Sequence, residues 1–528
     1  MMFAQIFVVV AILASAGVAS AQTVFTPSLR IPGIGVERKN ISGAVLDDRI
    51  RKIILSRQFW LLRQECAKDA PKRLFDNYWR IIEPVAAIEP RLDPYIIGAL
   101  ITLESCVVEK ADNGFGPVGL CQIDIASGKD LGMKVHVERR FRLVPRKNSR
   151  GQILKDRRGR ALARRVYYWY TYPDDERWDP AKCIMGMRNR LLRSYNAYGS
   201  MDATLAEYHM GPTRMNRLLS LYTGQNVVRN PTKKGEVAAK EVIAKRQLRY
   251  AKIFFDNTPS WRRSVWLYLK RLPDDSETYY FKEAMWEGLL RFYHDPRYGG
   301  GPAAYERLQA RYSGASSPMW SFFTEEERQQ YMIMTVEALA KAYDPPRPGE
   351  GARLVPLPQD PAFFGFRPRL EGSSPIGAKA LKPQDRPYYI GSEASTLGAL
   401  VYISYELRRL TGAGFRILET NSLVRDNDYQ LRLRTDNVNA RTSLPTHVMA
   451  KAFDLPYNWM SPQLRENLEF LLQDLAYDGK LTFSPESGSQ HTDHVVPHPD
   501  AEEFFDKVYA GAERQLAARN AARRANTQ

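Results

Sequence analysis

Long apolar runs, cysteines and histidines are all scarce in this chain of 528 residues. Beyond the N-terminus no apolar stretch reaches the roughly 18 residues that a spanning helix needs, so we expect no transmembrane segment in the mature chain. Four cysteines are too few for a disulfide-framework protein, and 44% apolar with 26% charged residues excludes disordered and collagen-like chains. At roughly 150 residues per domain, the length predicts about two to four domains.

Acidic side chains are outnumbered by basic ones, with 59 Asp or Glu against 76 Lys or Arg and a net charge of +17. This charge favours an anionic partner, and membrane surfaces, acidic polymers and nucleic acids all satisfy it. Residues 134–166 hold thirteen Lys or Arg against Glu138 and Asp156, a net +11. Turn signals at 148–151 and Gly159 predict an inserted hairpin or lobe. It is either a solvated charged loop or a basic wall for an anionic glycan, edged by the aromatic residues that follow: Tyr167, Tyr168, Trp169, Tyr170 and Tyr172.

The N-terminus carries a predicted signal peptide at residues 1–21. The segment 6–16 is apolar but too short to span a bilayer, and Ala19-Ser20-Ala21 follows it as a small-x-small cleavage site. No Lys or Arg precedes the apolar run, so a buried or membrane-anchoring helix is the alternative. No cysteine follows the cleavage site directly, so we expect no lipid anchor. We expect a periplasmic or secreted protein, and export argues against nucleic acid as its partner.

All four cysteines, Cys66, Cys106, Cys121 and Cys183, lie in the first part of the chain. An oxidising compartment permits two disulfide bridges among them, in any of three pairings. Their spacings match no zinc finger, and buried free thiols are the alternative.

Apolar residues at three- and four-residue spacing predict a helical domain at 46–257. Asp93-Pro94 is a helix start, since Asp caps free amides and Pro tolerates the first helical position. Glu104 lies three and four residues beyond Ile101 and Leu100, on the apolar face of that helix. A carboxylate on an apolar face indicates a functional role.

The second half of the chain divides by composition. Residues 258–344 predict a helical region that we interpret as scaffold, and 345–387, with ten of the thirty-three prolines, predict a linker or a non-regular start of the next domain. Residues 388–510 mix a helix near 397–410 with short β-prone runs at 415–418 and 494–496, which favours α+β. A basic tail occupies 511–528.

Three separated segments carry a family resemblance: Leu103-Glu104-Ser105, Gly116-Pro117-Val118-Gly119-Leu120-Cys121-Gln122-Ile123, and Ala206-Glu207-Tyr208-His209-Met210-Gly211-Pro212. In this order they resemble the soluble lytic transglycosylases, peptidoglycan-cleaving relatives of goose-type lysozyme. The resemblance covers roughly residues 75 to 225 and implies a mainly α, lysozyme-like domain in which 134–166 is an insertion.

The resemblance implies a role for each matching residue. Glu104 would protonate the leaving glycosidic oxygen and then act as base while a sugar hydroxyl closes an anhydro ring. Burial fits this role, because it disfavours the charged carboxylate and raises its pKa. Ser105 and Gln122 would line the cleft and Tyr208 would position the sugar or the Glu. His209 and Met210 replace the Asn and Ala usual in the family. Because Glu109 and Asp112 are near in sequence, a lysozyme-type hydrolase is an alternative.

Four of the seven histidines fall within 52 residues near the C-terminus, at positions 447, 491, 494 and 498. His447, Asp454 and His494 could offer three ligands with an open position, as catalytic zinc requires. Core or surface histidines without a metal are the alternative.

The segment His447 to Asp454 is similar to the His-x(6)-Asp motif of zinc D-alanyl-D-alanine carboxypeptidases and their hedgehog-like relatives, over about residues 385 to 500. The resemblance implies zinc bound by His447, Asp454 and His494. Arg425 would meet substrate charge, with Gln430 beside it. Two positions differ from the family pattern: His491 replaces the usual Glu, and Ala450 replaces the usual Gly. The catalytic base would then be Glu486, with Asp493 as the other candidate.

Together these features predict a multidomain protein with a mainly α lysozyme-like domain, a helical middle region and an α+β zinc-peptidase-like domain. We expect an exported enzyme whose partner is peptidoglycan: it would cleave glycan strands and act on or bind peptide stems. A non-catalytic peptidoglycan-binding or scaffolding protein is the alternative from another class.

Overall fold

The computed structural model describes residues 41–89, 91–148, 151–156, 158–315, 318–344, 351–358, 360–368, 382–435, 445–486 and 491–525. The predicted signal peptide lies outside these residues. With 58% helix and 13% strand in small sheets, the prediction of an α-rich multidomain protein is confirmed at that level. No helix in the described ranges has the length and apolar character needed to cross a bilayer.

The chain forms two compact units. The first, here called the helical unit, comprises Arg57–Phe255 and Ser264–Gly314; the second, here called the C-terminal unit, comprises Asp256–Arg263, Ala315–Gln528 and the described residues up to Ser56. Part of the region predicted as separate scaffold therefore belongs to the unit that contains Glu104.

The described N-terminal part of the chain is built from helices and two pairs of strands. In chain order the elements are α1 (Gly43–Leu62), α2 (Ala70–Arg73), α3 (Trp79–Ala87), α4 (Pro94–Ser105), α5 (Ile125–Asp130), β1 (Val137–Pro145), β2 (Ala163–Thr171), α6 (Pro180–Tyr198), α7 (Met201–Met210), α8 (Pro212–Thr223), β3 (Asn226–Val228), β4 (Glu236–Ala238), α9 (Ala239–Arg246), α10 (Tyr250–Phe255), α11 (Arg263–Lys270), α12 (Tyr279–His294) and α13 (Pro302–Tyr312).

Helix α4 is the element that carries Glu104, and its predicted start is confirmed: the Asp93 side chain accepts from the Tyr95 amide. The helix packs along α12. Gly98 permits this approach, since a Cβ there would lie 2.9 Å from Leu74 and 3.2 Å from Leu290. The tight contact at Gly98 lies in the first half of α4 and limits how far the two helices can shift against each other.

Two disulfides brace this unit. Cys66 pairs with Cys106 and Cys121 pairs with Cys183, which selects one of the three possible pairings. Cys106 ends α4 in the left-handed conformation with a φ of 52°, directly after Ser105. The first bridge therefore anchors the end of the helix on which Glu104 lies.

The basic insertion forms the predicted hairpin. Strands β1 and β2 pair antiparallel with Phe141 opposite Tyr167, and they form a sheet of their own. Most of its side chains are exposed. The base of the hairpin is fixed by a hydrogen bond from the Trp169 amide to the carbonyl of Gly114.

The C-terminal unit combines helices with small sheets, in agreement with the predicted α+β character. Its elements are α14 (Glu325–Tyr331), α15 (Val336–Lys341), β5 (Val355–Pro356), α16 (Pro361–Phe364), β6 (Phe366–Pro368), β7 (Gly391–Ser392), α17 (Ala394–Thr411), β8 (Leu418–Thr420), α18 (Asn427–Arg434), β9 (Phe453–Pro456), α19 (Pro462–Tyr477), β10 (Leu481–Pro485), β11 (Thr492–Pro497) and α20 (Glu502–Ala525).

The core of this unit lies between α17, α19, α20 and a three-stranded sheet in the order β10, β11, β9. Gly398 lets α17 meet α20 closely, because a Cβ at that position would lie 1.9 Å from the carbonyl oxygen of Phe505. The described part of 345–387 contributes buried Phe363, Phe364 and Phe366 to this core, so it packs as the start of the domain. The β-prone run 415–418 pairs only from Leu418 onward.

Candidate functional site

Glu104 lies in the last turn of α4, in a setting that favours its protonated form. The Tyr279 hydroxyl donates a hydrogen bond of 2.6 Å to Oε1 of Glu104. Burial raises the pKa of Glu104 to about 7, although the Tyr279 hydrogen bond and the positive charge of Arg190 act in the opposite direction. At neutral pH a large fraction of this side chain therefore holds a proton that it can donate.

Tyr279 is a residue of this candidate site that the sequence did not indicate. It begins α12, inside the stretch 258–344 that we interpreted as scaffold, and its hydrogen bond places it beside Glu104. The ring is buried. It lies 175 positions from Glu104, so no local spacing could have paired the two. The aromatic run at 279–281 was the available signal, but it is equally typical of core packing.

Arg190 and Tyr208 lie beside this pair. The Arg190 guanidinium stacks 4.3 Å from the ring centre of Tyr208 and donates to its carbonyl oxygen at 2.5 Å. Tyr208 is buried, and its hydroxyl has no hydrogen-bond partner within the described part of the chain. Both Arg190 and Tyr208 interact electrostatically with Glu104. An unpaired buried hydroxyl is costly, which fits a group that awaits a substrate oxygen.

Ser105 and Gln122, predicted to line the cleft, are bound to the main chain. The Ser105 hydroxyl donates to the carbonyl of Ile101 at 3.1 Å. The Gln122 amide nitrogen donates to the carbonyls of Ala111 and Gly119, at 3.0 and 2.9 Å. Their contact with a glycan stays a prediction, and the observed bonds show how Gln122 shapes the loop after Glu104.

His209, which departs from the family pattern, covers one face of Tyr279. The two rings stack with centres 4.4 Å apart, and His209 Nδ1 lies 2.9 Å from the Ser276 hydroxyl oxygen. Burial lowers the pKa of His209, so the ring is neutral at pH 7. His209 therefore holds Tyr279 in place without adding charge beside Glu104.

The carboxylates near Glu104 in the sequence accept hydrogen bonds from other groups of the protein. Glu109 accepts from the Tyr78 hydroxyl at 3.0 Å, and Asp112 accepts from the Gly114 amide at 2.7 Å. Asp124 caps α5. Burial raises the pKa of its carboxyl, but hydrogen bonds from Ser127 and the charge of Arg190 together lower it below its usual value. Among the described residues, no carboxylate is one of the groups that shift the pKa of Glu104.

A second cluster lies in the C-terminal unit, where the sheet brings two predicted ligands together. Asp454 on β9 pairs directly with His494 on β11, which places both side chains on one face. His447 lies on the turn before β9. The ligand atoms of the three residues all lie within 4.8 Å of one another. The carboxylate is 3.2 Å from His447 Nε2 and 2.8 Å from His494 Nδ1.

The three side chains of this cluster could hold a metal ion. His447 Nδ1 lies 2.8 Å from the carbonyl of Leu423, which leaves Nε2 directed at Asp454. His494 Nε2 lies 2.9 Å from the Thr446 hydroxyl, which leaves Nδ1 directed at Asp454. Such outer partners orient ligating imidazoles. Burial lowers the pKa of His447, which favours the neutral ring that a metal requires.

Arg425 and Gln430 lie next to this cluster, both buried. Arg425 Nη2 is 4.0 Å from Asp454, and its guanidinium donates to Gln430 at 3.0 Å and to the Ser422 hydroxyl at 2.6 Å. Ala450, in the place of the usual Gly, has a left-handed φ of 58°, the conformation that glycine prefers.

The remaining candidates lie outside the three-residue group. Glu486 follows β10, and its amide donates to the Thr492 carbonyl; its role as base stays a prediction. Asp493 alternates with His494 along β11 and so points to the other face, where burial raises its pKa to about 6. His491 lies beside the ring of Tyr457, and His498 packs against Phe322.

Comparison of the chain with protein-family models, curated proteins and solved structures finds no match.

Proposed function

We propose that this protein is an exported peptidoglycan-degrading enzyme that cleaves glycan strands with Glu104 as its single catalytic carboxyl. The observation that carries the proposal is the setting of Glu104: a half-buried carboxyl whose pKa desolvation raises to about 7, bound by the Tyr279 hydroxyl and close to one cation. A general acid for glycosidic oxygen needs this combination, because it must hold a proton at neutral pH and lose it readily.

The first step is proton transfer to the leaving oxygen. Tyr279 occupies Oε1 of Glu104, so the other carboxyl oxygen carries the proton that passes to the glycosidic oxygen as its bond to the anomeric carbon breaks. The negative charge that remains on Glu104 is stabilised by the Tyr279 hydrogen bond and by Arg190. Tyr208, whose hydroxyl is unpaired within the described residues, would hold the sugar.

The second step regenerates the acid. The Glu104 carboxylate takes the proton from a hydroxyl of the same sugar while that oxygen bonds to the anomeric carbon and closes an anhydro ring. The proton returns to Glu104, and no water is consumed. A hydrolase would use a second carboxylate or a positioned water. Glu109 and Asp112 are hydrogen-bonded to other groups of the protein, which favours the anhydro product.

The test is mass spectrometry of the products that purified protein releases from sacculi. Wild type should give anhydro-ended fragments and Glu104→Gln none. Reducing-end fragments that depend on Glu104 would indicate a lysozyme-type hydrolase. Normal sacculus binding by wild type without any fragments would favour the binding or scaffolding alternative.

For the C-terminal unit we propose a zinc-peptidase-like domain that acts on or binds peptide stems. His447, Asp454 and His494 would hold the metal, which would supply Lewis acidity toward a peptide carbonyl and an activated water. Arg425 would bind a stem carboxylate, and its position 4.0 Å from Asp454 supports this. If the protein shortens peptide stems and a chelator abolishes this shortening, the domain is catalytic. If it binds stems without shortening them, the domain is a peptide-binding module.

A further inference from the structure

The hairpin β1–β2 exposes apolar side chains that no core requires. Leu143 is 65% exposed, Phe141 and Tyr167 are each 49% exposed, and Ile153 near the tip is 47% exposed. Phe141 lies opposite Tyr167 and Leu143 lies opposite Arg165, so these four residues share one face of the ribbon. Apolar residues grouped on an exposed face are typical of a binding surface.

Cations surround these apolar residues on the same face. The Arg139 guanidinium lies 4.6 Å from the ring centre of Tyr167, and that of Arg165 lies 4.7 Å from the ring centre of Phe141. Stacking keeps each guanidinium at the edge of the apolar patch and leaves its N–H groups available to an anion.

Most of the positive charge of the hairpin is not neutralised internally. Its two acidic residues pair with Arg140 and Arg160. Within the described residues, no salt bridge engages the other arginines of the two strands: Arg139, Arg142, Arg164 and Arg165. The hairpin therefore presents free cations and exposed apolar groups together.

We propose that this hairpin docks the protein on an anionic lipid bilayer, with Leu143 and Phe141 inserted at the headgroup boundary and the arginines bound to lipid phosphates. The exposed aliphatic groups distinguish this partner from a glycan or a nucleic acid. Sugars and bases can stack on aromatic rings, but neither provides the hydrocarbon that favours burial of Leu143 and Ile153. Guanidinium groups bind phosphate oxygens in pairs, and arginine extends its charge to the interface while its stem stays apolar.

The proposal is independent of the chemistry at Glu104. A single weak interaction with the bilayer gives only marginal binding, whereas electrostatic attraction and insertion of apolar side chains together give stable docking. The hairpin is a surface anchor that does not cross the bilayer, and it would confine the enzyme to one side of its polymeric substrate.

The test is co-sedimentation of the purified mature protein with two kinds of vesicle, phosphatidylcholine alone and equal parts of phosphatidylcholine and phosphatidylglycerol. We expect binding to the mixed vesicles, weakened by salt, and little binding to the neutral ones. Leu143→Ser should weaken binding about fivefold to tenfold, because one apolar insertion is lost. The matched control Ile88→Ser, at a residue that is 60% exposed outside the hairpin, should leave binding unchanged.

The contribution of the hairpin arginines is measured in the same vesicle assay. The double variant Arg139→Gln, Arg165→Gln, on the face that carries Leu143, should weaken binding roughly 20-fold, at about one factor of five for each arginine near the surface. The control Lys245→Gln, Arg307→Gln removes the same net charge from exposed positions elsewhere and should have a much smaller effect. Hydrogen exchange of the unmodified protein should show protection of residues 137–171 when mixed vesicles are added.

Three results would overturn the proposal. They are equal or absent binding to both kinds of vesicle, loss of binding in the charge variant without any effect of Leu143→Ser, and absence of hydrogen-exchange protection in the hairpin. If the hairpin variants instead lose affinity for sacculi, the surface binds the glycan polymer.

Discussion

The Tyr279 hydroxyl donates a 2.6 Å hydrogen bond to Glu104, across 175 positions of sequence. The bond exists because α4 and α12 pack against each other, with Gly98 permitting the approach. It opposes the effect of burial on the Glu104 pKa. The carboxyl is thus acidic enough to release its proton, because Tyr279 on α12 donates to it, and desolvated enough to hold a proton at neutral pH.

Removal of this bond should slow catalysis and shift its pH dependence. Tyr279→Phe removes the hydrogen bond that lowers the pKa of Glu104, so that pKa should rise above about 7. The rate falls as pH passes through this pKa because the acid must be protonated, so the fall should move to higher pH. We expect roughly tenfold to hundredfold lower kcat from the loss of charge stabilisation. Tyr280→Phe on the same helix is the control, and an unmoved pH profile in Tyr279→Phe would contradict the assigned role.

The C-terminal cluster should bind zinc with defined ligands. Elemental analysis after dialysis should find one zinc for each wild-type chain, while His447→Ala or His494→Ala should lower zinc affinity by at least about tenfold. His491→Ala removes a histidine that lies beside Tyr457 and should retain the metal. Equal zinc loss in all three variants would argue against this ligand set.

Glu283 should destabilise the helical unit. It is fully buried one turn after Tyr279, and neither carboxylate oxygen has a hydrogen-bond partner in the described part of the chain. Burial raises its pKa well above 4.5, so the folded protein holds this proton more tightly than the unfolded chain. The pH-dependent part of the destabilisation is therefore absent below about pH 4.5 and grows as pH rises above that value, while the cost of the unpaired polar group applies at every pH.

Replacement of this side chain tests the argument. Glu283→Leu should raise the free energy of unfolding by about 1 to 3 kcal/mol at pH 7, since it removes a buried polar group without partners. Thermal unfolding across a pH series is the measurement. The exposed control Glu306→Leu should stay near wild type, and a lower Tm in Glu283→Leu would show that Glu283 has a stabilising partner.

The bridge between Cys66 and Cys106 should stabilise the end of α4. The double variant Cys66→Ser, Cys106→Ser opens a loop with a sequence separation of 40 residues. We expect a loss of about 3 to 4 kcal/mol and a lower Tm, with reduced activity because Cys106 lies two positions after Glu104. The pair Cys121→Ser, Cys183→Ser should lose comparable stability. Detection of free thiols in the oxidised wild-type protein would contradict both bridges.

Several features were accessible from the sequence. The Asp93 cap and the apolar spacing around Leu100 predict α4 and the face of Glu104, and the structure agrees. The basic run with its turn residues predicts the hairpin, which forms as β1 and β2. The grouping of His447, Asp454 and His494 was also proposed from their types and spacing. The fold families suggested by resemblance remain predictions.

Other features were decided by the tertiary structure alone. Local sequence could not decide three of them: that Tyr279 is the partner of Glu104, which of the three cysteine pairings forms, and that 264–314 belongs to the helical unit. The physical reason is that these features depend on contacts between residues that are far apart in the sequence. Capping and periodicity report on neighbours within about four residues, because a helix brings only these side chains together. Which distant helices meet is determined by the packing of whole apolar faces, and only the folded chain brings Tyr279 to Glu104.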